Sequence, residues 1–240
     1  MKKIILLLLL GNCTKITLAQ QNSSTQYLYW IRFQNQLIFS PKLYWNNEVD
    51  NRRYIDPDVE AQFIYHSRLH YRYKKWDYAG GLTLSWAYAA HPEDGYVSPT
   101  FEIRPVAEVS HEQPVGKSLI QNRIRVDNRF FESDPEKSIW EESFYVMRFR
   151  YRLQWRIPLT YAEESIPRIS LRFMQEIMVN NKENFFDQYR FYASTEYYLN
   201  KIFSLEFGYL YIYQQRFGRD EFFNRNCFRF SVLHRVTVHH

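Results

Sequence analysis

The sequence predicts an all-β protein, a single antiparallel transmembrane β-barrel of 10 to 12 strands. Three observations carry this. Apolar and aromatic residues alternate with charged ones at period two through most of the chain. The alternating runs mostly reach or exceed the roughly 9 to 11 residues that a tilted strand needs to cross a bilayer. And 6 Trp, 20 Tyr and 19 Phe stand among 240 residues with only 7 Gly, an aromatic load that excludes a disordered chain. The mean hydropathy of -0.51 argues against a bundle of apolar helices but not against a barrel, whose two opposed faces average to a polar number.

The first 19 residues stand apart. Lys2 and Lys3 precede the apolar run Ile4 to Leu10, and Thr17-Leu18-Ala19 offers a small-residue cleavage site. That is the pattern of a secretory signal peptide over 1–19, leaving 20–240 as the barrel domain. A lipoprotein anchor at Cys13 would need a small residue before it, where Asn12 stands. Cleavage removes Lys2, Lys3 and Lys15, so the formal charge of +5 falls to +2, with 28 basic side chains against 26 acidic ones. It also leaves Cys227 as the single cysteine, which excludes an internal disulfide or a Cys-rich zinc site. No cofactor is predicted. After residue 19 no run approaches 18 consecutive apolar residues, so any membrane crossing must be made by strands.

Eleven runs follow, near 25–39, 43–52, 59–74, 76–90, 99–112, 118–131, 141–157, 167–180, 187–199, 202–216 and 225–238. In the third, Glu60, Gln62, Ile64, His66, Arg68, His70 and Arg72 alternate with Ala61, Phe63, Tyr65, Ser67, Leu69 and Tyr71. The fourth sets Trp76, Tyr78, Leu82, Leu84 and Trp86 against Asp77, Ala79, Thr83 and Ser85. In the sixth and seventh, Arg123, Arg125, Asp127 and Arg129, then Arg148, Arg150, Arg152 and Arg156, each face away from an apolar set. A helix would scatter these arginines around its circumference. The tenth and eleventh repeat the pattern with Phe207, Tyr209 and Tyr211 against Glu206 and Gly208, and with Phe228, Phe230 and Val232 against Arg229 and Ser231.

Eight of nine prolines are expected between or at the ends of runs, with only Pro105 inside one. Short links near 40–42, 74–75, 115–116 and 200–201 alternate with longer polar ones near 51–58, 91–98, 132–140, 181–187 and 217–224, as short periplasmic turns alternate with external loops in outer-membrane barrels. The link over 158–167 breaks that rule. Eleven is also odd, whereas single-chain bacterial barrels have even strand numbers, so 10 or 12 is expected.

Period alone does not say which face looks outward. A soluble periplasmic barrel or sandwich acting as a binding module would bury the aromatics and wet the arginines. Strand length, the leader and loop asymmetry favour the opposite arrangement, with the aromatics, Tyr27, Tyr29, Trp30, Tyr44, Trp45, Tyr71, Trp76, Trp86, Tyr151 and Trp155 among them, forming girdles in contact with outer-membrane lipid.

Several pieces, in their order, carry a resemblance: Tyr27 to Gln36 with Glu48 to Arg53, Glu102 to Glu108, Arg148 to Leu153, Glu176 to Asn180 and Phe207 to Arg216. Together they resemble the family called domain of unknown function 2490, across nearly the whole chain after the leader. The resemblance implies an outer-membrane β-barrel of Gram-negative bacteria and carries over no catalytic residue.

With the aromatics outward, the interior holds an arginine ladder of Arg68, Arg72, Arg123, Arg125, Arg129, Arg148, Arg150, Arg152 and Arg172. Arg32, Arg52, Arg104, Arg156, Arg168, Arg190, Arg216, Arg229 and Arg235 share their parity. Facing acids are Glu48, Glu60, Glu102, Glu108, Asp127, Glu176 and Glu206, with Asp50, Glu112, Glu142 and Glu196. Confined charges must be paired or hydrated, so one reading is a filled, structural interior. The other is a passage for small anionic solutes, since arginine rings make anion pores. His66 and His70 lie about 13 Å apart along a strand, too far for one metal ion. No Ser-His-acid cluster gathers around Ser67, Ser85, Ser110 or Ser204, so an outer-membrane lipid-modifying enzyme is the remaining alternative rather than the expectation. Acids on the same faces as the arginines argue against nucleic-acid binding. N-terminal sequencing of the exported protein is expected to begin at Gln20; a chain that still begins at Met1 would remove the leader.

Overall fold

A sheet with one charged and one apolar face can bury only one of them, and curling it into a cylinder also removes its edges. The protein, described here as a computed structural model, does this. The described residues are 22–238 apart from 89, 96, 134–136, 138, 164, 165, 183 and 217–219. The leader expected over 1–19 lies outside them.

Eleven strands form one closed barrel. They are β1 (Asn22–Ile38), β2 (Leu43–Tyr54), β3 (Glu60–Tyr73), β4 (Trp76–Ala87), β5 (Thr100–Val115), β6 (Ser118–Glu132), β7 (Ser143–Glu163), β8 (Ile166–Asn180), β9 (Phe186–Tyr198), β10 (Phe203–Gln215) and β11 (Glu221–Thr237). Each is antiparallel to its sequence neighbours. The expected even count is corrected by the closure: β1 and β11 pair in parallel, from Asn22 opposite Glu221 to Ile38 opposite Thr237. An odd number of up-and-down strands can close only with one such pair.

The links sort by rim. Residues 39–42, 74–75, 116–117, 164–165 and 199–202 join strands at one end, and 55–59, 88–99, 133–142, 181–185 and 216–220 at the other. At the short rim, Lys74 and Gly116 have φ of 54° and 57°, the left-handed backbone that two-residue hairpins require. Most of the long link expected over 158–167 is instead strand: β7 runs on to Glu163 and β8 begins at Ile166, with register shifts between Pro158 and Thr160 and again to Glu163. Pro158 therefore sits inside a strand, at a bulge that tolerates its missing N–H.

The faces are those of an inverted barrel. Arg68, Arg125 and Asp127 point inward and are buried, whereas Ile31, Leu69, Ile124 and Phe207 point outward and are exposed. The arrangement with aromatics inside and arginines in water is not the one adopted. Polar residues on the outer face are capped diagonally across strands. The hydroxyls of Tyr65, Tyr145, Tyr151, Tyr209 and Tyr211 donate to the Oδ1 atoms of Asn47, Asn128, Asn122, Asn226 and Asn224 at 2.5–3.0 Å, and Trp45 Nε1 donates to Ser67 Oγ at 2.8 Å. Diagonal neighbours are within reach of such long side chains.

Two inward glycines admit large side chains from the next strand. A Cβ on Gly81 would lie 2.7 Å from Arg68 Cα and 2.0 Å from Ser67 O, and one on Gly208 would lie 2.5 Å from Ser194 Cβ and 2.7 Å from the Tyr192 ring. Outward Gly80 meets nothing closer than 3.9 Å. Gly208→Leu is expected to destabilise the barrel by about 1–3 kcal/mol through overpacking, with Gly80→Ala near neutral. Thermal unfolding followed by circular dichroism checks this, and equal transitions for the two variants would refute it.

Candidate functional site: the arginine-rich lumen

Inward side chains of the strands converge on a lumen whose lower half, toward the short rim, is bridged by ion pairs. Arg172 donates to Glu196 and contacts Glu206, each at 2.9 Å. Arg235 reaches Glu196 at 3.0 Å and Arg229 reaches Glu206 at 3.1 Å. The Tyr192 hydroxyl donates to Glu206 at 2.5 Å and Ser204 to Glu196 at 2.7 Å. Across the lumen, the Tyr44 hydroxyl donates to Asp77 at 2.6 Å while its ring stacks on His70, and Arg72 lies over that ring.

At mid-depth each carboxylate serves several guanidinium groups. Asp127 accepts from Arg125 Nε at 2.8 Å, Arg148 Nη2 at 2.7 Å and Arg150 Nη1 at 3.4 Å. Glu176 accepts from Arg123 at 2.5 Å and Arg150 at 2.8 Å. Glu102 is shared by Arg104 and Arg129, Glu48 by Arg68 and Arg32, and Asp50 accepts a two-point bond from Arg32. Glu108 lies 3.4 Å from Arg123 and 3.8 Å from Arg125. Such buried pairs restrict geometry more than they stabilise it, because desolvation offsets most of the attraction.

Toward the long-loop rim the lumen opens into a vestibule of about 500 Å³. Among the described residues its wall carries fourteen arginines and three carboxylates, Glu48, Glu102 and Glu176, so its field favours anions. The link between β4 and β5 folds over this mouth. Gln26 Nε2 and the Tyr54 hydroxyl each donate to Ala90 O at 2.8 Å, and His91 Nε2 lies 2.9 Å from Glu221. On the rim outside, Arg53 and Tyr29 donate to Asp58 and hold its carboxyl below the usual carboxylate range.

All nine arginines of the expected ladder face the lumen, with Arg72 at the short rim. Of the seven acids, Glu48, Glu102, Glu108, Asp127, Glu176 and Glu206 join them. Glu60 does not. A bulge between Arg52 and Arg53 places Ala61 and Gln62 both inward and turns Glu60 outward, where Asn51 Nδ2 donates to it at 2.8 Å. Arg168 also leaves the lumen, standing over the outward Tyr197 ring. Glu142 sits in the 133–142 loop, held by Lys137 at 2.5 Å. Besides Tyr88, which lines the vestibule, two residues expected in the girdles are lumenal: Tyr44, as above, and Trp30, which is 2% exposed and flanked by Arg52 and Arg229. Their parity with Arg32 and Glu48 was the available signal. Missed altogether were Arg225 and the inward apolar residues Leu28, Leu210 and Ile212. His66 Nδ1 pairs with Thr83 at 2.7 Å and His70 Nδ1 with Asp77 at 2.7 Å, while Ser67 faces outward.

Fold and lumen together define an inverted β-barrel, charged within and aromatic without. The chain belongs to the family described as protein of unknown function DUF2490, whose model matches residues 28–223. Among solved structures it is similar to OmpT, an outer membrane protein of Vibrio cholerae, in its in-vitro folded trimer form, at a TM-score of 0.37 and 12% identity. The outer-membrane expressed OmpT of the same organism gives 0.37 and 11%. Each comparison covers 74% of this chain, which spans 57% of the length of those chains. No curated protein matches it.

Asp127→Asn would leave three buried guanidinium groups without their shared charge, and breaking a buried pair from one side costs about 3–5 kcal/mol. A lowered urea midpoint for unfolding from detergent is expected; an unchanged midpoint would show that the network adds no stability.

Proposed function

We propose that the protein is an outer-membrane barrel that admits small anions passively through its long-loop mouth, and that it performs no catalysis. The observation that carries this is the vestibule wall, where the described residues include fourteen arginines against three carboxylates. Outward aromatic rings such as Tyr27, Trp76 and Trp155 support a lipid-facing belt. The ion-paired lower half supports a narrow passage. On this reading, Ser67, bonded to Trp45 on the outer face and remote from the inward histidines, serves the surface and not a reaction.

Membrane fractionation is expected to place the protein with the outer membrane; recovery as a soluble periplasmic product would overturn the location. In planar bilayers the barrel is expected to show a small conductance that prefers anions. Arg152→Gln should reduce that preference without stranding a carboxylate, because Arg152 Nη2 donates to the neutral Gln121 amide at 2.8 Å. A folded barrel that leaves the bilayer silent would overturn the passage.

A further inference from the structure

The vestibule wall has two chemically different arcs. On β5, β6 and β7 it is a bank of guanidinium groups. From β8 round the closing seam to β2, buried apolar side chains pack into one cluster, and Leu28, Leu210, Ile212 and Cys227 of that cluster line the cavity. These four side chains are each at most 5% exposed, so the arc meets the cavity as a tightly packed apolar wall, against which a hydrated anion gains nothing. Binding pockets for small molecules combine apolar walls with placed polar groups, and about 500 Å³ is within their usual range of roughly 300–1,000 Å³.

Polar groups within the apolar arc are incompletely matched. Arg52 Nη1 donates to the neutral Gln62 amide at 2.7 Å, its nearest carboxylate is Asp50 at 3.8 Å, and its Nε is buried without an acceptor. Arg190 donates to Gln188 at 3.0 Å and lies 3.8 Å from Glu176. Arg225 donates to the amides of Gln26 and Gln214 at 2.7 and 2.8 Å. Trp30 Nε1, beside Arg52, is a further buried donor with no acceptor. Guanidinium groups whose closest partners are neutral amides, with a carboxylate no nearer than 3.8 Å for Arg52 and Arg190, retain affinity for a planar or tetrahedral anion.

We propose that the vestibule is a binding site for a small amphipathic anion, a phosphate or carboxylate head on an aromatic or short aliphatic body. The head sits on Arg52 and Arg190, and the body lies against Leu28, Leu210 and Ile212. The inference rests on the reading that the vestibule attracts anions, and adds that it retains one kind.

The test is calorimetric titration of the folded, full-length barrel in a non-ionic detergent with 1-naphthyl phosphate and, separately, with inorganic phosphate. Saturable binding of 1-naphthyl phosphate at least ten-fold tighter than that of inorganic phosphate is expected. Arg52→Gln should weaken it at least ten-fold, and Arg190→Gln serves if that variant does not fold. Leu210→Asn should remove the advantage of the naphthyl group while leaving inorganic phosphate unchanged. Equal affinity for the two probes, no saturable binding of 1-naphthyl phosphate, or an unaltered naphthyl advantage in Leu210→Asn would overturn the proposal. Because this titration needs no passage, a barrel that binds but stays silent in a bilayer loses only the conducting role. One that conducts but fails the titration loses only the retained ligand.

Discussion

Charge pairing inside a closed sheet is the constraint on which the rest of this structure depends. Once the apolar face turns outward, every arginine on the other face must find a carboxylate, an amide or water within a narrow cylinder. The acids are too few for one-to-one pairing, so they are shared: Asp127 among three arginines, Glu176 between two at close range. Sharing ties neighbouring strands together at fixed heights. Arg123 on β6 and Arg150 on β7 meet on Glu176 of β8, which couples three strands through one side chain.

The same scarcity divides the lumen. Toward the short rim Glu196 and Glu206 are both available to Arg172, Arg229 and Arg235, and ion pairs bridge the interior. Toward the long loops the described arginines outnumber the described acids, which they share with one another and with amides, and a cavity remains. The inward glycines extend this economy of volume. Gly81 and Gly208 carry no side chain where Arg68 and Tyr192 cross the adjacent strand, so large polar groups lie flat against the wall.

Much of this was legible in sequence because period two is a local property: each run announces its own two faces without reference to its neighbours. The runs near 43–52, 118–131 and 202–216 lie within a few residues of β2, β6 and β10. What was not legible depends on pairing. A bulge between Arg52 and Arg53 arises from how β2 meets β3, and it alone moves Glu60 to the other face. The shifts that accompany the extension of β7 to Glu163 opposite β8 are likewise properties of a pair. Closure with an odd count is a property of all eleven strands together. Trp30 is a different case: its parity with Arg32 was visible, but the general affinity of tryptophan for interfaces masked it. The apolar arc went unseen for a related reason, because Leu210 and Ile212 continue the parity of Glu206 beyond the last charged residue.

The parallel seam has a consequence for the order of assembly. Every other strand pair joins segments linked by a hairpin, whereas β1 and β11 bring together residues about 200 positions apart, as in the bond from Arg225 to Gln26 and the contact of Asn35 with His234. Loop-closure entropy makes the most distant contacts the last to repay their cost. The hairpins therefore form as a growing curled sheet whose free edges are β1 and β11, and Trp30 is not enclosed between Arg52 and Arg229 until those edges meet. The cylinder is thus completed by its single parallel pair, whose unbroken register from Asn22 to Ile38 seals the wall along its full height.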